Sequence, residues 1–189
     1  MSVKAALERF FYEMTQDYIR KNGCPPKALC SEERKLTGLF LLDTLDDAGY
    51  AQWVPEAQHR KPGFDQAEQE LGFQIHKQIQ AYLSEYWFLP LDGKLLTSDS
   101  IVFLRLIGVT KNTDLHALVM SGFQRKGTHD LPEHHDFLLG TYCVVDGDDG
   151  FTVQVDNETG EVRAVDPAEH LSVHLADSIE DLLLNLKTV

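Results

Sequence analysis

Three short extended runs near the end of the chain constrain its fold most. Phe137 to Val145, Phe151 to Val155 and Glu161 to Val165 are rich in β-branched and aromatic residues. Their connections, Asp146-Gly147-Asp148-Asp149-Gly150 and Asn157-Glu158-Thr159-Gly160, are built from residues that turn the backbone. Strands joined by so few residues pair antiparallel, so this region predicts a meander. A helix should follow, with Asp177 as its cap, Glu180 as the reciprocal partner, and Ile179, Leu182, Leu183 and Leu186 on its buried face.

Upstream, apolar residues at helical spacing (Leu7, Phe10, Phe11, Met14, Tyr18, Ile19) predict an amphipathic helix from Val3 to Asn22. Gly23 ends it, and Cys24-Pro25-Pro26-Lys27 reads as a loop. Leu36 to Leu42 and Gly49 to Val54 read as strands around the acidic turn Asp43-Thr44-Leu45-Asp46-Asp47. Asp65 and Glu68 have capping-box spacing and open a helix carrying Leu71, Ile75, Ile79, Tyr82, Leu83 and Tyr86, with Gly72 as an interior anomaly marking close packing or a kink. Ile101 to Gly108 reads as a buried strand and Thr113 to Gln124 as a helix. This order is not a regular βαβ alternation. It predicts an α+β fold, helices on one side of an antiparallel or mixed sheet, in one domain spanning 1–189.

Charge narrows the partners. The chain of 189 residues has a formal net charge of −13, which disfavours sequence-independent nucleic-acid binding, since that needs Lys and Arg to displace counterions from phosphates. Asp136 to Val189 holds twelve acids against Arg163 and Lys187, whereas Met1 to Lys35 is slightly basic. A one-signed field of this kind attracts a basic partner. Lys4, Glu8, Arg9 and Glu13 interrupt any apolar signal core, and no run of eighteen apolar residues occurs, so a cytoplasmic protein is expected. Cys24, Cys30 and Cys143 form no CxxC pair and read as free thiols.

Catalytic motifs are missing: there is no GxSxG, GxGxxG, GxxxxGK[ST] or HExxH. The cluster His129, Asp130, Glu133, His134, His135 and Asp136 could ligate a metal and support a hydrolase, but Pro132 opposes the helical pair that catalytic zinc usually uses, and a polar connection is the simpler reading. Asp146 to Gly150 places Gly at position 5 rather than 6 and fails as an EF-hand loop. No enzyme activity, metal or cofactor is expected. The features that suit a binding surface are the acidic turn Asp43, Asp46 and Asp47, the aromatics Tyr50, Trp53, Tyr86 and Trp87, and the acidic meander; Tyr86 reads as core, while Trp53 and Trp87 suit core and surface equally.

A family resemblance runs through nearly the whole chain. Ala5-Ala6-Leu7-Glu8-Arg9-Phe10, Asp47-Ala48 followed by Trp53 and Pro55, Ala67-Glu68-Gln69-Glu70-Leu71-Gly72-Phe73, Glu161-Val162, His170-Leu171, Leu175-Ala176 and the closing Leu-rich helix together resemble the Syd family, SecY-interacting proteins of Gammaproteobacteria. Glu68 to Gly72 and Thr159-Gly160-Glu161-Val162 are also similar to the wider SUKH superfamily, which includes immunity proteins against secreted toxins. Lys111 to Asp136 and the gap between Ala48 and Trp53 depart from the pattern. The resemblance implies a non-enzymatic protein that docks basic cytoplasmic loops of the SecY translocon on a concave acidic surface. It would sit peripherally at the cytoplasmic side of the inner membrane and check SecY quality or availability. Asp47 is the one acid at a matched position outside the helix; Asp43, Asp46, Trp53, Glu68 and Glu70 complete the expected partner-binding set. A SUKH-type immunity role is the alternative.

Overall fold

The computed structural model describes residues 2–35, 37–59, 62–97, 101–124, 135–144, 151–166 and 171–189, apart from the side chains of Glu33, Gln124, Cys143 and Val144. The expected turn at Asp146 to Gly150 lies outside these residues, as do His129 and His134.

The first helix, α1 (Val3–Asn22), has the expected bounds. Ser2 caps it by accepting the Ala5 N–H, Arg20 and Lys21 complement the dipole in its last turn, and Gly23 closes it at φ 72° with its N–H on the Ile19 carbonyl at 2.8 Å. Its buried stripe is Val3, Ala6, Leu7, Phe10 and Phe11, so burial concentrates in the first half of the helix and Ile19 is exposed. Cys24, Pro25 and Pro26 form the expected loop, but Lys27 already opens β1 (Lys27–Leu29), and α2 (Glu32–Lys35) follows. The apolar run from Leu36 contributes only β2 (Phe40–Leu41), because Leu42–Thr44 winds into a 3₁₀ turn; β3 (Tyr50–Trp53) is the next strand. These strands form a three-stranded antiparallel sheet in the order β1-β3-β2.

After β4 (Glu56–Ala57), the long helix expected from Asp65 is two helices, α3 (Asp65–Leu71) and α4 (Lys77–Ser84). Gly72 divides them: it stands at φ 80° in the left-handed region that terminates a helix, with its N–H on the Glu68 carbonyl. The capping box does not form. Phe64 occupies the cap without a side-chain bond, and the Glu68 carboxylate instead accepts the Ile75 N–H at 2.9 Å and the Gln80 amide at 3.0 Å beyond the break. The next strand, β5 (Tyr86–Trp87), pairs with β4.

The main sheet comprises β6 (Leu91–Leu96), β7 (Ile101–Leu106), β8 (Asp136–Val144), β9 (Phe151–Asp156), β10 (Val162–Val165), β11 (Ser172–Ala176) and β12 (Lys187–Thr188), in the order β11-β10-β9-β8-β7-β6-β12. The meander is therefore present as expected, β7 lies within the expected strand Ile101 to Gly108, β6, β11 and β12 are strands that periodicity alone does not reveal, and every described pairing is antiparallel. Along β6 and β7 alternate residues are buried: Leu91, Leu95, Val102, Leu104 and Leu106 point into the core, while Asp92, Lys94, Leu96 and Arg105 are exposed. The inward rows share one core with α1, α4, α5 (Leu115–Gln124) and α6 (Ile179–Asn185). This is an α+β arrangement. Each fully buried Leu or Phe in that core contributes about 1.5–3 kcal/mol. At α6 the cap is Ser178, whose hydroxyl accepts the Asp181 N–H at 3.0 Å, not Asp177, which lies 3.3 Å from His174 Nε2. The expected buried face of α6 is intact.

Candidate functional site

Strand alternation gives the three-stranded sheet two unlike faces. Ala51, Trp53 and Phe40 point inward and are buried; Lys27, Leu29, Leu41, Tyr50 and Gln52 share the outward face. Leu29 pairs directly with Tyr50, and Leu41 and Lys27 flank Gln52 from either side. Leu29, Leu41 and Tyr50 are 50%, 40% and 45% exposed, and Leu42 and Leu45 beside them are 52% and 42% exposed. Isolated exposed apolar residues are ordinary, but five gathered along one small sheet and its adjoining turn make a patch of the kind that marks interaction sites.

The acidic turn lies against this patch. Asp46 opens a tight turn: its carbonyl accepts the Gly49 N–H at 2.9 Å, its Oδ1 accepts the Ala48 and Tyr50 N–H groups at 3.2 and 2.9 Å, and Gly49 supplies the positive φ of 82°. The Tyr50 N–H first, then the Lys27 ammonium at 3.0 Å, hold the Asp46 carboxyl below its usual range. Lys27 is correspondingly raised, chiefly by its bond to Asp46. Asp46 is thus committed to shaping the turn. Asp43 and Asp47 are exposed, and neither forms an ion pair among the described residues. Their charges are available to a partner.

The six residues expected to bind a partner fall into three places. Asp43, Asp46 and Asp47 are together on the turn. Trp53 ends β3, three residues beyond Tyr50 and on the opposite face, 5% exposed and part of the core. Glu68 and Glu70 belong to α3: Glu68 secures the α3–α4 corner and lines a polar cavity of about 470 Å³ with Gln74, Ile75, His76, Lys77, Gln80 and Asn157. Glu70 accepts from Gln66 and lies 3.2 Å from His116 Nε2 on α5. Two residues apart on a helix, these carboxylates face different neighbours.

Among the described acids of the meander, Asp136, Asp156 and Glu161 have local partners, while Asp146, Asp148 and Asp149 lie outside the described residues. Arg163 lies 3.0 Å from Asp136 and 3.3 Å from Asp156, and His174 lies 3.0 Å from Glu161. Of the possible metal ligands, His135 stacks on Phe73 at 3.9 Å, and no group of three or more His, Cys, Asp or Glu able to hold a metal occurs among the described residues. Cys24 and Cys30 are free thiols. No described helix is long and apolar enough to cross a membrane.

The residues that sequence reasoning missed are Leu29, Leu41, Leu42 and Leu45. Their signal was weak: Leu29 follows two prolines, and Leu41 and Leu42 sit in an apolar run that reads simply as strand. No family model matches this chain, and no curated protein matches it.

Proposed function

We propose that this chain is a non-enzymatic docking protein of the Syd kind, which receives basic cytoplasmic loops of SecY on the outward face of β1-β3-β2 and thereby monitors or restrains the translocon. The observation that carries the reading is the juxtaposition of an exposed apolar patch, Leu29, Leu41 and Tyr50, with the exposed carboxylates of Asp43 and Asp47, which form no ion pair among the described residues. A cytoplasmic membrane-protein loop offers the complement, since such loops are enriched in Lys and Arg and carry apolar residues near the bilayer. The acids steer the encounter and set orientation; the leucines and Tyr50 supply the buried area that retains the partner. Asp46 contributes by holding the turn in shape, and Trp53 by backing the sheet from the core side. On this reading the protein is held peripherally at the cytoplasmic side of the inner membrane through its partner.

The test is retention of SecY from detergent-solubilised inner membrane on the immobilised chain. Retention should be clear near 0.1 M salt and lost near 1 M, where the screening length falls from about 10 Å to about 3 Å. It should be lost at low salt in the Asp43→Lys, Asp47→Lys double variant. Retention unaffected by both changes would refute the proposal.

A further inference from the structure

The two edges of the seven-stranded sheet differ in a way that assigns one of them a use. At one edge, β12 is two residues long, and Lys187 stands directly across from Lys94 of β6. A short strand with lysines is the usual device that keeps an edge from recruiting another strand. The other edge, β11, has neither protection. It is five residues long, contains no Lys or Pro, and among the described residues nothing pairs with its outer side; its register against β10 shifts only beyond His174, where Val162 pairs with Ala176. Leu171 and Val173 are 53% and 45% exposed, and Ser172 and His174 are exposed as well.

Its hydrogen-bonding phase is also defined. The Asp166 N–H donates to the Leu171 carbonyl at 2.9 Å, and the register continues Val165 with Ser172, Ala164 with Val173 and Arg163 with His174. Antiparallel pairs alternate between bonded and non-bonded, so Leu171 and Val173 direct their backbone groups at β10, while Ser172 and His174 direct theirs outward. Two N–H and two C=O groups therefore stand ready in ladder geometry on an open edge.

We propose that β11 accepts an extended segment of a partner protein by strand addition, and that this segment is basic. Charge selects the occupant. From Ala164 to Leu186 the described acids are Asp166, Asp177, Glu180 and Asp181 with no Lys or Arg; Arg163, opposite His174, is engaged by Asp136 and Asp156, and Glu161 and Asp177 flank His174 at 3.0 and 3.3 Å. A second copy laid edge to edge would bring two such one-signed segments together, which like-charge repulsion opposes. A strand with alternating Lys or Arg meets complementary charge while its backbone completes the ladder. The inference does not rest on the β1-β3-β2 reading: it uses a different sheet and different residues.

The probe is a peptide of about eight residues alternating lysine and valine, compared with its glutamate–valine counterpart. The lysine peptide should bind with Kd below about 1 mM and slow amide hydrogen exchange at Ser172 and His174, with no change at Lys187 and Thr188. Ser172→Pro removes one outward N–H without touching the bonds to β10, a place where edge strands tolerate proline, and should weaken binding about tenfold or more while the protein stays folded. The Asp43→Lys, Asp47→Lys variant should still show the Ser172 and His174 protection. Four results would each overturn the proposal: absence of protection, equal protection by the glutamate peptide, binding indifferent to Ser172→Pro, or protection of these amides by self-association without peptide. The exchange measurement stands even if the proline variant does not fold.

Discussion

Asn157 accepts the backbone N–H of His76 on its Oδ1 at 2.8 Å, joining positions 81 residues apart. Its Nδ2 donates to the Gln74 carbonyl at 2.9 Å, so one buried side chain at the β9–β10 turn satisfies backbone on both sides of Ile75. The bend between α3 and α4 is thus written partly in the meander. Replacing Asn157 by Ala removes both bonds and leaves a half-buried donor and acceptor without partners. The expected loss is about 1–3 kcal/mol of unfolding free energy, measured by urea titration.

Charge reversal at Asp43 and Asp47 tests the proposed docking face from its polar side. Both residues are exposed and outside the core, so the melting temperature should hardly move. Affinity for a fluorescently labelled SecY loop peptide should fall about tenfold at low salt, and its dependence on salt should flatten, as read by anisotropy.

The apolar side is tested by contrast within one strand. Tyr50→Ala and Leu29→Ala should each cost the same peptide about tenfold in affinity while changing stability by no more than about 0.5 kcal/mol. Trp53→Ala, on the buried face of the same strand, should cost about 3–5 kcal/mol of stability. If Trp53→Ala left stability intact and removed binding, the assignment of faces would be wrong.

The acid limb of the stability curve should carry the signature of Asp46. Its carboxyl is held below the usual value of 3.8, first by the Tyr50 N–H and then by Lys27. A group depressed on folding adds stability that is whole above its unfolded pKa and disappears as pH falls through the folded one. Asp46→Asn keeps the acceptor for the two N–H groups but not the charge. It should flatten the fall in stability below pH 3.8, checked by denaturant titrations across that range.

The polar cavity beside Glu68 gives a further check on the fold. Glu68→Ala would strand the Ile75 N–H and leave the Gln80 amide with only its bond to the Ile75 carbonyl, while leaving the β1-β3-β2 face unchanged. Stability should drop by about 1–3 kcal/mol with SecY-peptide affinity preserved, in the same paired assays.

Periodicity and turn chemistry determine much of this protein before any contact is known: α1 with its glycine stop, the β8–β9–β10 meander, α5, and the apolar face of α6 all follow from residues close in sequence. Asp43, Asp46 and Asp47 could also be read as one acidic turn, because five consecutive residues hold them together. What only the tertiary structure decided concerns partners distant in the chain. The three-residue β1 exists because Tyr50, Ala51 and Gln52 supply its ladder, and the helix expected from Asp65 divides because Asn157 and Glu68 satisfy the backbone that Gly72 releases. The same holds for the candidate site: alternation says that Tyr50 and Trp53 face opposite ways, but which one meets water depends on where α1 and the main sheet lie. Local sequence encodes a pattern of faces; long-range packing chooses the face that is covered.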